Sequence, residues 1–167
     1  MDVAVRRITD ADGPLLKDTR LGALRDAPGD HSGTLAGAEE LTDDRWQEIA
    51  VGNASGSNQA IWFAEVDGAT AGMLAAFRTF DDVVTLTSLW ARPGFRQVGV
   101  ADALVEVATT WAEAGNGRWL RLWLRERNDL VRAFWNGLGF EATGAWMAYE
   151  PDPTQRDVEL RKPLMAS

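Results

Sequence analysis

The sequence predicts an α+β domain of order β-α-α-β-β-β-α-β-α-β-β, with a mixed and mostly antiparallel sheet. Three patterns carry that prediction. Residues 60–91 hold three β-rich runs, the first two joined by Asp67-Gly68, a strong hairpin signal. A helical apolar stripe (Ala101, Leu104, Val105, Ala108, Trp111, Ala112) then lies between two strand-like runs, which makes a strand–helix–strand crossover and one parallel pair. With 167 residues, 46% of them hydrophobic, the chain has material for one domain with a proper core.

Taken in order, Val3 to Ile8 reads as the first strand. Asp12, with Pro14 two residues on, marks a helix start; Leu15, Leu16, Leu21 and Leu24 are its apolar positions, and Ala27-Pro28-Gly29 ends it. Residues 30–38 read as a small-residue loop, and Leu41, Trp46, Ile49 and Ala50 mark a second helix. Residues 52–58 form another loop, rich in Gly, Asn and Ser. Ala60 to Val66, Thr70 to Phe80 and Val83 to Ala91 then make an antiparallel meander. Gly115-Asn116-Gly117 ends the stripe helix. Trp119 to Arg125 is a strand with Leu120, Leu122 and Leu124 on one face. Asn128 caps a short helix through Trp135, closed by Gly137 and Gly139. Ala145 to Glu150 and Val158 to Lys162 form the last pair of strands.

Composition removes several classes of function. A net charge of −8 argues against a nucleic-acid backbone as partner, since phosphate binding rewards clustered Lys and Arg. No apolar run approaches the ~20 residues of a membrane span, and the first residues lack the charge-then-apolar order of a signal peptide. A cytoplasmic location is therefore expected. Without cysteine there is no disulfide framework and no thiolate ligand or nucleophile, and no metal site is expected.

The stretch Arg96-Gln97-Val98-Gly99-Val100-Ala101 carries the most chemistry. It follows a strand, a break at Arg92-Pro93-Gly94-Phe95, and opens a helix. Unpaired N–H groups of a helix's first turn, with the partial positive charge there, make a seat for a phosphate or pyrophosphate. The loop has neither the Gly-Lys-Ser/Thr ending of a P-loop nor the three-glycine dinucleotide spacing, which disfavours an unrelated nucleotide-binding protein.

Arg96-x-x-Gly99-x-Ala101, Asn128, Ala133-Phe134-Trp135 and Leu138-Gly139-Phe140 occur in that order within residues 96–140. Together with the element order and the strand-like Glu159-Leu160-Arg161-Lys162, they resemble the GCN5-related N-acetyltransferase (GNAT) superfamily across nearly the whole chain. The resemblance implies a central sheet splayed at its one parallel strand pair. It also implies direct acetyl transfer from acetyl-CoA to a primary amine of a small molecule, amino acid or peptide. Backbone N–H groups of Gln97, Val98, Gly99, Val100 and Ala101, beside Arg96, would hold the pyrophosphate. The edge at Leu89, Trp90 and Ala91 would pair with the pantetheine arm and polarise the thioester carbonyl. Asn128, with Phe134 nearby, would contact the cofactor at the splay.

Departures from the family pattern shape the expectations. Relatives often carry a basic residue at the position of Val98 and a basic or hydroxyl residue at that of Asp102, so weaker cofactor binding than in a typical relative is expected. Trp135 stands where relatives usually place a Tyr that protonates the leaving thiolate; an indole N–H donates a hydrogen bond but is no acid near neutral pH. Val83 to Ala91 has no carboxylate for a general base. Glu65 on the second strand and His31, the single histidine, are the candidates, with Glu126, Asp129 and Glu150 behind them. Core packing accounts for Trp62 and Trp111, while Trp46, Trp119, Trp123 and Trp146 are weighed between sheet packing and an aromatic acceptor pocket. That pocket is expected from residues 28–37 and 149–156, where Asp26, Asp30, Glu150 and Asp152 weakly suggest a cationic acceptor. The edge of the last strand offers a place for a homodimer. The rival reading is a catalytically weak module of the same fold that binds coenzyme A or acyl-CoA for a regulatory role.

Overall fold

The computed structural model describes residues 2–29 and 33–165. Its strands are β1 (Val3–Arg7), β2 (Gln59–Val66), β3 (Ala69–Arg78), β4 (Val83–Ala91), β5 (Trp119–Arg125), β6 (Glu141–Ala148) and β7 (Arg156–Pro163). They form one sheet of order β1-β2-β3-β4-β5-β7-β6, antiparallel throughout except for β4 beside β5. The helices are α1 (Gly13–Asp26), α2 (Leu35–Glu39), α3 (Asp43–Asn53), α4 (Val100–Ala114) and α5 (Asp129–Gly137). The predicted order holds, with additions and shifts that have local causes.

The short helix α2 replaces part of the expected loop: Thr34 Oγ1 accepts from Gly37 N–H at 3.1 Å and starts it. β6 begins four residues earlier than expected, because Gly144 takes φ 90° and breaks the alternation that would have marked the strand. It is also one of the sheet's two edge strands, β1 being the other, whereas the last strand, β7, lies between β5 and β6. The edge expected of the last strand is thus that of β6. Asp67 and Gly68 both adopt left-handed conformations, and the predicted tight hairpin joins β2 to β3.

Helices cover the sheet on both faces. On one, α4 and α5 pack Val100, Leu104, Ala108 and Trp135 onto Trp62, Leu74, Leu120 and Leu160. Trp62 and Trp111 meet edge-to-face at 5.6 Å, the core role expected of them. On the other, α1 and α3 pack Leu16, Ala23, Trp46 and Ala50 onto Ile61, Phe63, Met73 and Trp90. Gly72 on β3 is where β4 and α4 come closest. A Cβ there would meet the Trp90 carbonyl oxygen at 2.4 Å and Val100 Cγ1 at 2.8 Å. Gly72→Ala is expected to cost about 1–3 kcal/mol, read as a lowered denaturation midpoint.

Asp12 stands at the N-cap of α1 without capping it. Its carboxylate instead accepts from Arg6 Nη1 at 2.7 Å and from Thr9 N–H at 2.7 Å, and the arginine hydrogen bond holds its pKa down at about 2. The folded value lies below the ordinary 3.8, so the stabilisation is present above about pH 4 and lost as pH falls toward 2. After solvent screening of the part-exposed arginine it is about 1 kcal/mol. Melting curves of the native chain and Asp12→Asn should converge over that interval.

Candidate active site

Pairing between β4 and β5 covers only Val83↔Trp119, Val84↔Leu120 and Thr85↔Arg121. Both strands continue beyond it, so Leu86 to Ala91 keep β3 on one side and, among the described residues, no strand on the other. This part of β4 is bulged: Met73 pairs with Trp90 and Ala75 with Thr87, leaving Ser88 and Leu89 opposite Leu74. Ser88 sits at φ 61°, a left-handed conformation that a residue with a Cβ adopts at a cost. Non-glycine strain of this kind concentrates at functional sites.

The chain leaves β4 through Arg92, whose N–H bonds Ala71 O at 2.7 Å and whose Nε bonds Thr70 O at 3.0 Å. It then turns into α4 at Gly99, which holds φ 85° at the N-cap. The first bond of α4 runs from Ala103 N–H to Gly99 O at 3.0 Å. The amides of Val100, Ala101 and Asp102 precede it, with no carbonyl one turn back inside the helix. Val98 packs against the main core together with Phe95, which explains an apolar residue at that position.

Arg96 does not stand alone. Its guanidinium forms an ion pair with Asp26 at the end of α1, and its Nε donates to Ala91 O at 3.0 Å. Asp26 also accepts from the Trp90 indole at 3.0 Å. One carboxylate therefore ties the loop, β4 and α1 together. Sequence reasoning gave Asp26 only to the acceptor side, because seventy residues separate it from Arg96.

Behind β4, on the α1 and α3 face, lies a cavity of about 650 Å³. Leu16, Leu24, Trp46, Ile49, Ile61 and Met73 are among the apolar side chains of its wall. Arg20, Ser88 and Glu150 supply charge and hydroxyl, so the bulge of β4 forms part of the cavity. The volume is that of a small-molecule site. Gly33, Thr34, Gly37 and Pro151 close it from the two loops expected to do so. Arg125 braces that side: Nε and Nη2 donate to Gly29 O at 3.0 and 2.8 Å, Nη1 pairs with Asp157, and the guanidinium lies 3.4 Å from the Tyr149 ring centre.

The other candidates fall in distinct places. Trp135 is 4% exposed and packs edge-to-face between Phe134 and Phe140, at 5.2 and 5.0 Å. Asn128 caps α5, its Oδ1 accepting from Val131 N–H at 3.3 Å. Glu65 is bonded to Arg6 at 2.8 Å and is not part of the cavity wall. His31 and Asp30 lie outside the described residues. Of the four tryptophans weighed for an acceptor pocket, Trp46 lines this cavity. Trp119 and Trp146 are exposed beneath Arg161 and Arg156 instead, and Trp123 lies beside Arg121. Among the described residues no group of three His, Cys, Asp or Glu is gathered as a metal site, and no helix is long and apolar enough to cross a membrane.

A mixed sheet opened at its one parallel pair, with a left-handed glycine starting the crossover helix beside the opening, is the acyltransferase architecture that the motifs imply. Residues 25–140 match the acetyltransferase (GNAT) family, and the chain belongs to that family. Solved structures agree in fold. A GNAT-family acetyltransferase from Streptococcus pneumoniae aligns over 98% of this chain and 100% of its own, at TM-score 0.79 and 19% identity. The PaiA N-acetyltransferase from Thermoplasma acidophilum, in complex with coenzyme A, aligns over 98% and 99%, at 0.76 and 15%. A GCN5-related N-acetyltransferase from Kribbella flavida aligns over 97% and 98%, at 0.75 and 21%. No curated protein sequence matches the chain.

Proposed function

We propose that this chain is an acetyl-CoA-dependent N-acetyltransferase acting on a primary amine held in the cavity behind β4. The observation that carries the proposal is the convergence of three features on β4: its unpaired edge, the left-handed Gly99 at the start of α4, and the cavity that reaches Ser88. Coenzyme A fits this arrangement. The first-turn amides of α4 suit a pyrophosphate, and the unpaired edge of Leu86 to Ala91 suits an amide-bearing arm that pairs as a strand does.

Acetyl-CoA supplies an activated thioester carbonyl. The protein's work is to place a neutral amine against that carbon: the C–N bond forms, the C–S bond breaks, the sulfur leaves as thiolate, and the proton that the nitrogen then sheds passes to that thiolate or to solvent. An ammonium entering the cavity first gives up a proton, and Glu150 on the wall is the carboxylate positioned to receive it. This assigns to Glu150 the role expected of Glu65, whose carboxylate Arg6 already holds. A β4 backbone N–H beside the bulge would stabilise charge developing on the carbonyl oxygen. Trp135, packed in the core, contributes shape rather than a proton, and a thiolate can leave unaided. A cytoplasmic setting belongs to the same reading.

The buried Trp135 and the Arg96–Asp26 pair also favour a second reading, a module that binds coenzyme A with little turnover. One assay separates the two. Free thiol is followed while a panel of primary amines is presented with acetyl-CoA, alongside calorimetric binding of coenzyme A. Thiol release that depends on an amine, with an N-acetyl product by mass spectrometry, is the expected result. Binding without release on any amine would support the module, and no binding would contradict both.

A further inference from the structure

The cavity runs across the sheet, away from the open edge of β4. Ser88 on the bulge lies on its wall, and on β3 Ala75 pairs with Thr87 beside it. Ile61 on β2 pairs with Ala75 in turn, and both line the cavity. Neighbouring strands lie about 4.8 Å apart, so this floor reaches about 10 Å behind β4. Leu16 of α1 and Trp46 of α3 join Ile61 and Met73 in one hydrophobic cluster around it. Ala38, Leu41, Ile49 and Ala75 pack against that cluster, yet they stay only partly buried where they line the cavity. Open apolar surface on a concave wall gains most from an apolar occupant.

The charged and hydroxyl side chains of the wall have other partners or another task. Thr34 starts α2, Arg20 is already engaged, and Glu150 is the proton acceptor of the reading above. Of the acidic residues weighed for a cationic acceptor, Asp26 is bonded to Arg96 and Trp90, and Asp152 to Thr154 and Gln155. A second ammonium on the acceptor would rest against Ala75, Met73 and Ile61. There it would lose water to side chains that offer no hydrogen-bond acceptor.

The geometry points to a lipophilic primary monoamine as the acceptor: its nitrogen enters at the Ser88 end, and its hydrocarbon body lies along Ala75 and Ile61. This assignment rests on the N-acetyltransferase reading and narrows its substrate class. Ala75, at the middle of the floor, is on this account a specificity-determining residue. A larger side chain there would project into the cavity and shorten it.

The test presents the purified full chain and acetyl-CoA with straight-chain amines from ethylamine to octylamine, and with 1,5-diaminopentane. The monoamines share one basicity, so their rates compare directly. Their kcat/KM should rise about two- to fourfold per methylene until the chain spans the floor, and then level off. Pentylamine should exceed 1,5-diaminopentane by at least about tenfold. Ala75→Leu should move the levelling point to a shorter chain, lowering the octylamine-to-propylamine ratio by at least about tenfold. A profile that is flat or falls with length overturns the assignment, as does a diamine turned over as well as pentylamine. So does an Ala75→Leu enzyme with the native profile. If that variant fails to fold, the native series alone decides. Turnover confined to ethylamine, diamines or amino acids defeats this inference only. Silence toward these amines and toward a wide amine panel defeats the parent reading as well.

Discussion

Gly99→Val is expected to weaken coenzyme A binding by about five- to a hundredfold while leaving pantetheine binding nearly unchanged. Gly99 holds φ 85°, and an added Cβ would meet nothing within 4 Å. The effect therefore comes from backbone conformation alone. A β-branched residue forced into the left-handed region costs about 1–3 kcal/mol, which the loop relieves by turning its amides away. Pantetheine has no pyrophosphate and should not register that change. Calorimetry with both ligands on both proteins gives the comparison; an equal loss for the two would mean that Gly99 acts through the general fold.

Arg125→Ala should be the most damaging single substitution beside the cavity. The Arg125 side chain is 10% exposed and its Asp157 partner 17% exposed, so truncation strands a part-buried carboxylate and releases Gly29 O. Breaking a fully buried pair from one side costs about 3–5 kcal/mol, most of it the stranded charge, and a part-buried pair costs less. Arg125→Ala/Asp157→Ala should recover part of the melting temperature, because the unpaired charge is then gone. Neither protein should regain a native KM for its amine, since the tie between the segment after α1 and the C-terminal strands remains cut. A double variant as unstable as the single one would contradict this account.

These two residues differ in how far the sequence betrays them. Gly99 is legible because its signal is local: a strand, a break, a glycine and an apolar stripe within thirty residues. The same locality makes β2, β3, α4 and α5 readable, since hairpin turns, caps and periodicity act over a few positions. Arg125 is one of two arginines among the tryptophans and leucines of its strand, and nothing nearby foretells a bond to Gly29, ninety-six residues away. Asp26 is similar, its partners lying on β4 and in the loop beyond. Glu65 errs in the other direction: a strand carboxylate looks available until Arg6, across the sheet, claims it. The short helix α2 escaped notice because Gly37 and two alanines, Ala36 and Ala38, read as loop, although Thr34 marked its start. The cavity itself, drawn from α1, α3, β2, β3, the β4 bulge and the β6–β7 turn, exists only once those segments pack together.

The central claim is that the start of α4 holds the pyrophosphate of coenzyme A beside the open edge of β4. Its most direct test is an amide chemical-shift titration of isotopically labelled protein with coenzyme A and, separately, pantetheine. The account predicts that coenzyme A shifts the N–H signals of Gln97, Gly99, Val100 and Ala101 together with those of Leu89 to Ala91, while pantetheine shifts only the β4 group. Coenzyme A binding that leaves Gln97 to Ala101 unmoved would contradict it.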